Sequence, residues 1–86
     1  SPIQLQRLKD AGAEVIVSWM AGPNQEEDGH YSVLHQADDL YVTLNDTELG
    51  GSLRTFDIRN FEKRWYDIDD EGQKQEKWAM VLWRKD

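Results

Sequence analysis

Apolar residues recur along this chain with two different periods, and the switches between them mark its elements. In SPIQLQRLKDAG, Leu5, Leu8 and Ala11 return at intervals of three, forming one stripe of a helix. Ser1 suits the N-cap, Pro2 the first helical position, and Gly12 the residue just past the end. The next run, AEVIVSWM (Ala13–Met20), is β-branched and nearly continuous, as in a strand covered on both faces. AGPNQEEDG is a loop by its Gly, Pro, Asn and acidic residues, and HYSVLHQA and LYVTLN then form a hairpin turning at Asp38-Asp39. DTELGGS is a second turn and LRTFDI a short strand. In DIRNFEKRWYDI, Asp57 caps a short helix whose Ile58, Phe61 and Trp65 share one face. DDEGQKQEK is a charged, exposed loop, and WAMVLW closes the chain as an apolar strand. The order α-β-β-β-β-α-β predicts an α+β fold, a mainly antiparallel sheet with an N-terminal helix and a short second helix.

Length holds this to a single small domain, residues 1–86, with a modest core built largely from aromatic side chains. Trp19, Trp65, Trp78 and Trp83 each fall on an apolar strand or helix face, and all four are expected in that core. No internal repeat or low-complexity segment interrupts the chain. Its first residue is Ser rather than Met, as expected of a processed chain, a cloning remnant or a piece of something longer.

Charge narrows the partners. A formal net charge of −7 repels a phosphate backbone and an anionic bilayer, which argues against nucleic-acid binding. No apolar run reaches membrane-spanning length, so membrane insertion is not expected. The chain contains no Cys, so neither disulfides nor thiolate metal sites hold it together.

The chemistry centres on GHY. With Asp38 and Asp39 as the two turn residues, Ala37 pairs with Leu40 and His30 lies across from Thr47. Asn45 and Asp46 are then within a residue or two, and another turn length would bring Asp46 or Glu48 opposite instead. An imidazole at the start of one strand thus approaches an amide or carboxylate ending the next, the arrangement of a base and its orienting partner. His35, of opposite parity, faces the other side of the strand and reads as a surface or core residue. Glu26, Glu27, Asp28 and His30 suggest a metal site, but a second histidine at suitable spacing is missing and the stretch reads as an acidic loop. DIDDEGQKQEKW imitates an EF-hand at Asp67, Asp69, Glu71 and Gly72, yet Trp78 stands where the bidentate Glu belongs. No cofactor is implied.

Taken in order, LKDAGAEVIVSW, GHYSVLHQADDLYVTLND, LGG, FDIRNFEKRWYDI and WAMVLW resemble the C-terminal, sheet half of the C39-like cysteine peptidases, a papain-like family. The resemblance runs from about Ile3 to Arg84. It implies that His30 is the catalytic base and that Asp46 orients it. In the family a Pro follows that acid, whereas Thr47 follows here and Asn45 stands beside it, so either could face the imidazole. It also implies a peptide or protein substrate and a nucleophilic Cys on a lobe preceding everything present here. No Ser takes the place of that Cys, so the chain alone is expected to be inactive, with the Cys lobe in the parent chain or on a partner. The other reading is a non-catalytic interaction module on the same scaffold, with an acidic inhibitor as a third; apolar surface left open by a missing lobe would favour a partner, including a second copy.

Overall fold

The computed structural model describes residues 1–21, 29–46 and 51–83. It opens with helix α1 (Pro2–Asp10), followed by strands β1 (Ala13–Met20), β2 (Gly29–Ala37), β3 (Tyr41–Asp46) and β4 (Ser52–Asp57). Helix α2 (Ile58–Arg64), the short strands β5 (Tyr66–Ile68) and β6 (Lys74–Glu76), and strand β7 (Ala79–Trp83) complete it. The architecture is α+β, with a five-stranded antiparallel sheet in the order β4-β3-β2-β1-β7 and a separate β5–β6 ribbon. Among the described residues, no helix is long and apolar enough to cross a membrane.

Local chemistry accounts for the ends of the helices. The Oε1 of Gln4 accepts from the Ser1 nitrogen at 2.7 Å, and Gly12 (φ +106°) supplies the left-handed residue that turns the chain out of α1. Asp57 accepts from the Asn60 N–H at 2.9 Å and caps α2. Pro2 and Leu5 bury the inner face of α1 and Leu8 is half-buried; Ala11, expected in the same stripe, is exposed because the helix has ended there.

Both helices cover one face of the sheet. Val15, Val17 and Trp19 from β1, Leu34 and Ala37 from β2, and Val42 and Leu44 from β3 meet Leu5, Phe61 and Trp65 there. The opposite face is covered only in part. The β5–β6 ribbon lies over the C-terminal half of β1 and buries Ser18 and Met20, while Glu14 stays exposed and Ile16 half-buried. Strand β1 is therefore enclosed on both faces along half its length, not all of it.

Three further sequence expectations change. DDEGQKQEK is exposed as expected, but it is not a loop throughout: Lys74–Glu76 pair with β5 as a ribbon, closed by the Asp69 carboxylate accepting from the N–H groups of Glu71 and Gln73 and from the Gln75 amide. Trp19 and Trp65 are core, but Trp78 is half-buried and Trp83 is 57% exposed, because β7 lies at the edge of the sheet. Finally, the β2–β3 hairpin turns one residue later than Asp38-Asp39. The Asp38 carboxylate accepts from the N–H groups of Leu40 and Tyr41, its own N–H donates to the Tyr41 carbonyl, and Ala37 pairs with Val42.

The ribbon yields a pH prediction. Hydrogen bonds from Gln73 N–H, the Gln75 amide and Glu71 N–H hold the Asp69 carboxyl below the usual carboxylate range. The fold thus favours the ionised form, and this contribution is complete above the unfolded value, about pH 4, and lost as the pH falls through the lower folded value. In an acid titration followed by NMR, the Glu71 and Gln73 amides should lose exchange protection below about pH 4, ahead of the β1–β2 amides. Asp69→Ala should show the same loss at neutral pH. Unaltered protection in both experiments would count against the assignment.

Candidate functional site

His30 sits near the start of β2, directly across from Trp19 of β1. The ladder between β2 and β3 runs Ala37↔Val42 and Gln36↔Thr43, breaks at a bulge beside His35, and resumes at Leu34↔Leu44 and Val33↔Asn45. The late turn and the bulge replace the register expected from the sequence. Thr47 and Glu48, expected opposite or near His30, lie outside the described residues, as do Glu26, Glu27 and Asp28.

Parity decides which neighbours His30 can meet. Val33 and Asn45 pair and so project to one side, away from the helices. Ser32 and Leu34 on β2, with Leu44 and Asp46 on β3, project to the other and are buried. Carried one step along the ladder, Ser32 lies beside Asp46, and His30 is Asp46's diagonal neighbour on the same face. Side chains so placed have Cβ atoms no more than about 7–8 Å apart, a gap that an imidazole and a carboxylate can close. The register therefore puts His30 and Asp46 on one face of adjacent strands and Asn45 on the other. There the Asn45 Oδ1 is buried with no hydrogen-bond partner among the described residues. His35, at the bulge, is exposed.

Trp19 organises this end of the sheet. Its ring stacks on the His30 imidazole, with centroids 5.2 Å apart and planes at 27°, and meets Phe56 of β4 edge-on at 5.1 Å. The Arg54 guanidinium lies 5.7 Å from the ring centroid, within cation–π range. The indole N–H donates to the Ser32 hydroxyl at 2.9 Å. Arg64 of α2 ties down the end of β1 by donating to the carbonyls of Met20 and Ala21. Asp46 is fully buried and pairs with Ser52 across the β3–β4 ladder, while its carbonyl accepts from the Gly51 N–H at 3.2 Å. His30 is half-buried.

Sequence reasoning placed Trp19 in the core but did not link it, Ser32 or Arg54 to the histidine. A signal was present: Trp19 lies near the end of one apolar run and His30 near the start of the next, and Ser32 follows His30 at the strand period. Removing the hydroxyl tests the link. Ser32→Ala strands the buried indole N–H, and we expect a loss of about 1–3 kcal/mol in chemical unfolding; a loss below about 0.5 kcal/mol would show the bond to be dispensable.

Two clefts of about 430 and 510 Å³ lie elsewhere, one beside Gly12 and Glu14 and one between Tyr31 and the ribbon, and neither is lined by His30 or Asp46. In the second, Tyr31 donates to the Asp67 carboxylate at 3.1 Å, and burial with that carboxylate's proximity raises the phenol's pKa. No group of three or more His, Asp or Glu side chains suited to a metal ion occurs among the described residues.

Compared with protein-family models, curated proteins and solved structures, the chain has no match.

Proposed function

We propose that this chain is the base-bearing sheet lobe of a C39-like, papain-like cysteine peptidase. His30 is the base, Asp46 orients it, and a Cys-bearing lobe, in the same polypeptide or on a separate chain, supplies the nucleophile. The observation that carries this reading is the placement of His30 and Asp46 on one face of adjacent strands, with the imidazole laid against Trp19.

The chemistry follows from that placement. The Asp46 carboxylate accepts the N–H of one ring nitrogen and so fixes the tautomer. The other nitrogen takes the thiol proton, and the thiolate attacks the peptide carbonyl. The imidazolium returns the proton to the leaving amine, and water then cleaves the acyl-enzyme. Stacking on Trp19 restricts the swing of the imidazole about its own side-chain bonds, and burial of Asp46 strengthens its hydrogen bonds. Asn45, on the opposite face, takes no part. Because the chain has no Cys, these 86 residues should not hydrolyse peptides by themselves.

The reading is tested by supplying the missing half. The chain joined to, or mixed with, a lobe presenting a Cys at a helix start should hydrolyse peptide substrates, and iodoacetamide should block it. Absence of hydrolysis from every such combination, together with peptide binding, would favour the non-catalytic interaction module. That second reading draws on Tyr41 and Leu53, which are exposed on the face away from the helices.

A further inference from the structure

We infer that the chain pairs with a second copy of itself through the free edge of β7, joining two sheets into one. The two outer strands of the sheet differ in kind. Strand β4 (SLRTFD) carries Arg54 and Asp57, charges of the sort that guard an exposed edge. Strand β7 (AMVLW) carries none, and Met80, Leu82 and Trp83 are all exposed on it. Among the described residues, β7 has β1 as its sole strand neighbour.

The hydrogen-bond phase of the ladder says what fits this edge. The Ser18 N–H donates to the Trp78 carbonyl at 3.3 Å, and Val17 pairs with Ala79, Val15 with Val81 and Ala13 with Trp83. In an antiparallel ladder, alternate residues turn their backbone groups to the same neighbour. Met80 and Leu82 therefore follow Trp78 in facing β1, while Ala79, Val81 and Trp83 direct their N–H and C=O groups outward. Such an edge is completed by another antiparallel strand.

The strand is complementary to itself. A two-fold axis at Val81 sets Val81 against Val81 of the second copy and Ala79 against its Trp83, so every outward N–H meets an outward carbonyl. The smallest side chain of the strand then lies beside the largest, and Met80 lies beside Leu82 on the other face. This isologous pairing closes at two copies, leaving no free β7 edge for further growth. Each copy carries −7, so the pair should tighten as salt screens their repulsion.

Sedimentation over a concentration series in 0.15 M salt should show a species of twice the chain's mass. Amide exchange should then reveal alternation: the N–H groups of Ala79, Val81 and Trp83 become protected as concentration rises, whereas those of Met80 and Leu82 are protected throughout. Val81→Pro removes an outward N–H that β1 does not use and should leave a folded monomer. If that variant loses its circular dichroism, the double variant Met80→Lys, Leu82→Lys serves instead. It sets Lys against Lys across the seam while moving the net charge from −7 to −5 (−7 + 2), so dissociation would not reflect greater overall repulsion. A wild-type chain that stays monomeric at high concentration and salt overturns the inference. So does a dimer in which Ala79, Val81 and Trp83 gain no protection, or one that survives in a folded variant.

Discussion

Replacing Trp19 by Ala is expected to remove most of the protein's folding free energy at room temperature. Trp19 is essentially fully buried and touches His30, Phe56, Arg54 and Ser32, residues from two other strands. Truncating a buried Trp typically costs about 3–5 kcal/mol, because the cavity closes only in part. A chain of this size has total stability toward the lower end of about 5–15 kcal/mol, so the variant retains little. Trp19→Phe should stay folded, with a smaller deficit from the lost volume and the missing indole N–H. Urea unfolding followed by circular dichroism checks both; a loss under about 1 kcal/mol for Trp19→Ala would mean that the cluster does not hold this end of the sheet.

The other large effect concerns the completed enzyme. With the Cys lobe supplied, His30→Ala should lower peptide hydrolysis by at least about 10²–10⁴-fold, the usual worth of a positioned general base. Asp46→Ala should lower it too, chiefly in kcat, because the imidazole loses its preferred tautomer while substrate contacts remain. Asn45→Ala and His35→Ala should leave the rate close to that of the parent. These two controls carry weight, since Asn45 is as near to His30 in sequence as Asp46 yet projects from the other face. Equal losses at Asn45 and Asp46 would contradict the geometry.

Much of the fold could be read from the chain because local signals agreed with one another. Ser1, Pro2 and Gly12 bracket α1, Asp57 starts α2, and apolar, β-branched runs mark β1 to β3. The β2–β3 register was not legible, for two physical reasons. The Asp38 side chain takes the N–H groups of Leu40 and Tyr41, which moves the turn onward, and a bulge at His35 then shifts the pairing by one. Neither leaves a mark in hydrophobic periodicity. The ribbon escaped notice because its strands have three residues each and depend on one carboxylate. The exposure of Trp83 depends on which strand is outermost, a property of the assembled sheet. For the site, the family resemblance pointed to His30 with Asp46 or Asn45, and the face assignment set those two apart.

The most direct measurement is the nitrogen-15 spectrum of the two histidine rings in the intact 86-residue chain, with and without Asp46→Ala. His35, exposed at the bulge, serves as the internal reference for an unrestrained imidazole. His30 should show a single tautomer with a slowly exchanging ring N–H, both lost in Asp46→Ala while the β1–β2 amides stay protected. A His30 ring that exchanges between tautomers as freely as His35, or one that Asp46→Ala leaves unchanged, would contradict the pairing on which the proposed chemistry rests.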